Sequence, residues 1–343
     1  MTSPGWIQHL RGLLAVLLLG ALALGDVRAQ DADAMRARHA SLSERLAKNQ
    51  FQRPLHLEST QNSGDLKGEV YAVVEQPFSV VGEALQGMDH WCDLLILHLN
   101  VKSCAFTAKP TDVLSLYVGR KFDQPLGDAY RVNFSYRVPV TSADYLRVQL
   151  TAGEGPMSTR DYRLALEAVP LDAKRSFIHM SYSYGYGLAA RLAMQAYLAT
   201  AGSDKLGFSI VSKDADGKPV YVDGVRGVVE RNTMRYFLAI EAYLGAYGLP
   251  ASEQQDKRLR DWFAATERHA LQLHEMERGE YLDMKHREVQ RQLSGAKPDS
   301  LLEHVQRREG RVDAQAARQI KRQPEVTAPH SEAQAALLLR LGL

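Results

Sequence analysis

Arg131-Val132-Asn133-Phe134-Ser135-Tyr136-Arg137-Val138-Pro139-Val140 is the run that says most about the architecture of this 343-residue chain. Val132, Phe134, Tyr136, Val138 and Val140 fall on one side of an extended backbone, and Arg131, Asn133, Ser135 and Arg137 on the other. A period of two with one apolar and one polar face marks a half-buried strand. The pattern recurs downstream. Leu146, Val148 and Leu150 alternate with Arg147 and Gln149, and the turn Gly153-Glu154-Gly155-Pro156 follows. Tyr162, Leu164, Leu166 and Ala168 repeat it, as does Phe177 to Tyr186 after Pro170-Leu171-Asp172. Consecutive strands joined by short turns predict an antiparallel meander.

Helices flank this block. On the N-terminal side, Ser41-Leu42-Ser43-Glu44 fits a capping box opening a short helix. Leu55 to Ser59 and Gly68 to Glu75 flank the turn-rich Asn62-Ser63-Gly64-Asp65 and predict a hairpin. Pro77 to Leu95 carries Val80, Val81, Ala84, Leu85 and Met88 at helical spacing, with Gly87 placed to split it in two. On the C-terminal side, Leu188 to Ala201 predicts a helix stopped by Gly202, and a strand pair turns at Asp214-Ala215-Asp216-Gly217. A strong helix spans about Val225 to Tyr247 and ends at Gly248-Leu249-Pro250. From Arg258 to Gln292 the chain is charged and helical in character, and beyond Lys297 it becomes rich in Ala, Gln and Arg.

This order resembles the helix-grip fold of the START and Bet v 1-like superfamily. The resemblance runs from about Leu55 to Gly248. It is carried by the hairpin leading into Pro77, the alternating strands from Arg131 to Tyr186, and the helix Gly227-Val228-Val229-Glu230-Arg231-Asn232-Thr233-Met234-Arg235-Tyr236-Phe237-Leu238-Ala239-Ile240. It implies an α+β fold in which a curved antiparallel sheet grips a long C-terminal helix. It further implies an apolar cavity for a lipid, sterol-like molecule, polyketide or aromatic compound. Leu188 to Gly202 departs from the pattern by placing an extra helix among the last strands. The expected organisation is a signal peptide over 1–29, a START-like domain over 30–250, an appended charged helix over 251–296 and a poorly ordered tail over 297–343.

The leader reading rests on His9 and Arg11, the apolar run Leu13 to Leu24, and Val27-Arg28-Ala29 before a cleavage near Gln30. The expected address is periplasmic or secreted, with no integral membrane segment in the mature chain. In an oxidising compartment Cys92 and Cys104 are either a disulfide or two buried thiols. With 42 Lys and Arg against 40 Asp and Glu, the net charge of +2 gives no reason to expect nucleic acid as a partner.

Candidate residues have two readings each. Arg226, Glu230, Arg231, Arg235 and Glu241 lie on the apolar C-terminal helix, as a solvated stripe or with Arg231 or Arg235 clamping a ligand carboxylate or phosphate. Tyr182, Tyr184 and Tyr186 share one strand face and His179, Ser181 and Ser183 the other, so the tyrosines form packing or a cavity wall. Trp91 fills core or covers an opening. The ligand-binding set is therefore Arg231, Arg235, Tyr182, Tyr184, His179 and Trp91. His90 and Cys92 stand two apart on a helix and do not form a catalytic pair. Glu267, His269, His274 and Glu275 lack metal-ligand spacing and read as a solvated face. No cofactor motif is present in the sequence. The expected role is a carrier or sensor of a hydrophobic or amphipathic small molecule. An enzyme of the same shape, using Glu230, Glu241 or His179, is the alternative. A further alternative is an envelope protein whose region after Ala251 docks a partner; in that case, deleting everything after Gly248 should spare ligand binding.

Overall fold

The computed structural model describes residues 31–108, 110–198 and 205–295. The leader, Gly202 and the tail lie outside them. Residues 31–41 form helix α1 and Ser43–Ala47 form α2. Ser41 therefore closes α1 instead of capping α2: its hydroxyl donates to Arg38 O at 2.8 Å, and α2 has no side-chain cap.

Strands β1 (Leu55–Gln61) and β2 (Asp65–Val74) make the expected hairpin. Helices α3 (Phe78–Ala84) and α4 (Met88–Leu95) divide at Gly87. The meander comprises β5 (Tyr130–Thr141), β6 (Leu146–Glu154), β7 (Thr159–Pro170) and β8 (Ser176–Tyr186). Two strands ahead of it, β3 (Val101–Thr107) and β4 (Val113–Val118), were not visible in the sequence pattern. The sheet is antiparallel, in the order β1-β2-β8-β7-β6-β5-β4-β3. Helix α5 (Leu188–Leu198) and the small sheet β9 (Ile210–Lys213) and β10 (Pro219–Tyr221) precede the long α6 (Gly224–Ala246).

The curved sheet grips α6, as the resemblance implies. Alternation sends Leu66, Val70, Leu150, Leu164, Leu166, Met180 and Ile178 into one core with Val229, Met234, Phe237 and Ile240 of α6. A helix apolar around most of its circumference must be covered on most sides. The contact is closest at Gly68. A Cβ there would stand 2.2 Å from Thr233 Oγ1, so only glycine lets the helix approach β2 at this point. The opposite face of the sheet has its own smaller core, in which Met35, Leu42 and Leu46 of the N-terminal helices cover Tyr71, Tyr145, Val169 and Phe177.

Residues 251–293 contain three helices, α7 (Ala251–Glu267), α8 (Ala270–Leu273) and α9 (Arg278–Leu293). They are amphipathic, and their apolar side puts Leu259, Trp262, Leu273, Tyr281 and Met284 into the main core. Charge goes inside as well. Lys102, Lys285 and Glu288 have no exposed side-chain surface, and both lysines reach the Glu288 carboxylate, at 3.0 and 2.7 Å. Their remaining donors go to the carbonyls of Leu99, Phe122, His98 and Val101. A buried ion group is tolerable only when satisfied in this way. Cys92 and Cys104 are joined by a disulfide, which ties α4 to β3. Among the described residues, no helix is long and apolar enough to cross a membrane.

Candidate functional site

The inner face of β8 presents Tyr182 and Tyr184 toward α6, where they meet other rings in series. Tyr184 stacks on Tyr162 at 5.4 Å and lies 5.6 Å from Tyr182. Tyr182 is 5.2 Å from Tyr236 of α6, and Tyr236 stacks on His98 at 4.6 Å. The series extends to Phe134 of β5 at one end and Trp262 of α7 at the other. Burial drives the phenols of Tyr182, Tyr184 and Tyr236 well upward and that of Tyr162 to about 12, so all stay neutral donors. Tyr162 and Tyr236 nevertheless keep some accessible surface, as partly buried residues packed against the core.

Arg231 and Arg235, one turn apart on α6, are 2% and 1% exposed. This overturns the solvated-stripe reading for them and for Glu230, which is fully buried. Arg231 donates to the carbonyls of Lys205 and Leu206 at 3.0 and 3.1 Å. Arg235 donates through Nη2 to Glu275 at 2.7 Å. Glu275 also receives Lys121 at 2.8 Å and Lys205 at 3.5 Å, so it is the hub of an ion cluster and not part of a solvated face. Burial opposes its charge, but Lys121, Arg235 and Lys205 outweigh burial and hold its carboxyl at about 2. Burial pulls Lys121 down to about 7 despite Glu275.

The other candidates are engaged elsewhere. Glu230 accepts from Phe208 N–H, Ser209 N–H and the hydroxyls of Ser209 and Ser59, which fastens the base of the β9–β10 hairpin to α6. Arg226 donates to Ser59 at 2.7 Å, and Glu241 pairs with Arg53. Trp91 is fully buried, donating to Leu85 O at 2.8 Å; it is core.

His179 lies across the sheet from the tyrosines. Its ring nitrogens meet Glu167 at 2.9 Å and Glu69 at 3.0 Å, and it stacks on Tyr71 at 4.3 Å. Burial works against its charge, yet the two carboxylates prevail and raise its pKa, while Glu69 is held at about 2. Tyr145 donates to Glu167. The structure thus brings Arg231, Arg235, Tyr182 and Tyr184 to the inner side and leaves His179 and Trp91 out of that group.

Sequence reasoning missed His98, Tyr236, Tyr162, Lys121 and Trp262. Tyr162 was legible as an inward strand position and Tyr236 as a helix residue facing it. Lys121 and Glu275 are 154 residues apart, and nothing local connects them.

No known family model matches the chain, and no curated protein matches it in sequence. Solved structures do. The chain is similar to a START superfamily protein from Mycobacterium smegmatis (11% identity, TM-score 0.28), over 37% of this chain and 79% of that one. It is similar to human StAR-related lipid transfer protein 5 (9%, 0.32), over 65% and 99%. It is similar to the Zhui aromatase/cyclase from Streptomyces sp. R1128 (12%, 0.26), over 63% and 96%. The fold assignment itself rests on the strand order and the packing of α6 described above.

Proposed function

We propose that this chain is an exported carrier or sensor that binds a hydrophobic or amphipathic small molecule between the sheet and α6. The observation that carries the reading is the ring series from Phe134 to Trp262 inside the grip. Its members are heavily desolvated, yet Tyr162 and Tyr236 retain accessible surface, as side chains lining an internal space do. Aromatic walls supply contact area at low entropic cost, at about 25 cal/mol per Å² of apolar surface removed from water. The Cys92–Cys104 bond fits an oxidising address, where such bonds persist.

The test is native mass spectrometry of protein purified gently from the exported fraction, followed by solvent extraction. A co-purifying apolar molecule at near-unit stoichiometry is the expected result. A chain that is always apo, and whose melting temperature no lipid extract shifts, overturns the reading.

The enzyme reading moves to different residues. Glu230, Glu241 and His179 are bound up outside the ring series, whereas Lys121, with its lowered pKa, stands beside Arg235 and Glu275. A lysine near neutrality can act as a base or nucleophile. Turnover of a bound substrate that survives Lys121→Met removes Lys121 as its base or nucleophile.

A further inference from the structure

Three polar side-chain atoms beside the ring series are buried and have no hydrogen-bond partner among the described residues: Tyr184 Oη, His98 Nε2 and Arg235 Nε. All three can donate. A guanidinium has no acceptor, and a neutral phenol carries a proton. For His98 the geometry fixes the tautomer. Its Nδ1 accepts the Asn100 N–H at 3.1 Å, so the ring proton of the neutral imidazole sits on Nε2. Burial keeps that ring neutral, and the basic side chains that weigh on it most are Arg235, Lys285, Lys121 and Lys102, which share the carboxylates Glu275 and Glu288. Beside that Nε, Nη2 of Arg235 is already committed, to Glu275 at 2.7 Å and Leu273 O at 3.4 Å. Nε itself is buried without an acceptor among the described residues.

Buried donors without acceptors are rare in folded proteins and call for an explanation, a bound acceptor being one. The missing group must accept without donating. Where basic side chains outnumber the carboxylates Glu275 and Glu288 that they share, a carboxylate satisfies both demands, whereas an alcohol or an amine would bring protons with nowhere to go. We infer that the interior receives the acid group of an apolar carboxylic acid, with Arg235 Nε and His98 Nε2 donating to its oxygens and its body lying along Tyr236, Tyr182 and Tyr162. Tyr184 then serves an oxygen farther along the molecule. The inference rests on the binding reading above and goes further by naming the ligand's chemistry.

The experiment is calorimetric titration of the full mature chain at neutral pH with two matched pairs. These are hexadecanoic acid against hexadecan-1-ol, and 2-naphthylacetic acid against 2-(2-naphthyl)ethanol. In at least one pair the acid should bind more tightly by about tenfold or more, the scale of a charge-assisted hydrogen bond. Arg235→Lys, which keeps a cation facing Glu275 but has no Nε donor, and His98→Phe, which keeps the stack on Tyr236, should each narrow that ratio. Circular dichroism matched to the parent chain shows that both variants are folded, and if one is not, the parent's acid-to-alcohol ratio still decides. Equal binding of acid and alcohol overturns the acid inference and leaves the pocket standing. No binding by any of the four overturns the pocket and the inference together.

Discussion

Strand β8 carries two chemistries back to back, one on each face of the sheet. Outward, His179 is satisfied on both ring nitrogens, by Glu167 and Glu69, and Tyr71 covers its ring. Inward, Tyr184 buries a hydroxyl with no partner, and the same series of rings contains the unpaired donors of His98 and Arg235. Perturbed titration alone does not tell the faces apart, since His179 and Glu69 are shifted on one and His98, Lys121 and Glu275 on the other. Satisfaction separates the two. A closed network stabilises the fold, whereas an open one reserves its hydrogen bonds for something absent from the chain itself.

The largest effect that would break this contrast comes from truncation. A chain ending at Gly248 loses Leu259, Trp262, Leu273, Tyr281 and Met284 from the same core that holds the tyrosines. The expected cost exceeds about 5 kcal/mol, comparable to the stability of a whole domain, so urea unfolding followed by circular dichroism should show no cooperative transition. A cooperative transition in that fragment would separate the C-terminal helices from the inner site.

A smaller effect sharpens the outer half. His179→Gln should destabilise by about 2 kcal/mol, the range for hydrogen bonds to charged groups. The sign of the pH dependence follows from the direction of the shift. The folded pKa of His179 is raised, so its contribution is full below its ordinary 6.5 and fades as pH rises through the folded value. Glu69 is depressed from 4.5 to about 2, so its contribution is full above 4.5 and is lost as pH falls toward 2. Denaturation of parent and variant from pH 5 to 9 should therefore converge at the alkaline end. Curves that stay parallel would show that the imidazolium is not what the carboxylates hold.

The smallest effect compares two hydroxyls directly. Tyr184→Phe removes an unpaired group and should leave apo stability unchanged or slightly raised. Tyr145→Phe removes a donor to Glu167 and should cost about 1 kcal/mol. Equal losses in thermal melts would erase the distinction between the faces.

How much of this could be read from residues alone depends on distance along the chain. The period-two runs at Arg131 to Tyr186 and the helix near Val225 to Tyr247 were legible because each reports its own burial locally. That alternation also places Tyr182 and Tyr184 on the face opposite His179. Strands β3 and β4 were not legible; in β3 the neighbours Lys102 and Ser103 are both buried, which breaks the alternation. Arg231 and Arg235 misled for a related reason. Charge ordinarily means solvent, and their partners Lys205 and Glu275 lie 26 and 40 residues away. His98 gave no signal, because an unsatisfied nitrogen is defined by its surroundings and not by its sequence.

The outer cluster also acts as an index mark for the inner one. His179 stands opposite Tyr71 on β2 and Glu167 on β7, while Tyr184, five residues on, stands opposite Leu66. A shift of β8 by one residue would turn every tyrosine outward, and a shift by two would take His179 from its place opposite Glu167. The ion pairs beneath the N-terminal helices therefore favour the register seen here. The height of the phenols inside the grip is tied to a histidine on the far side of the sheet.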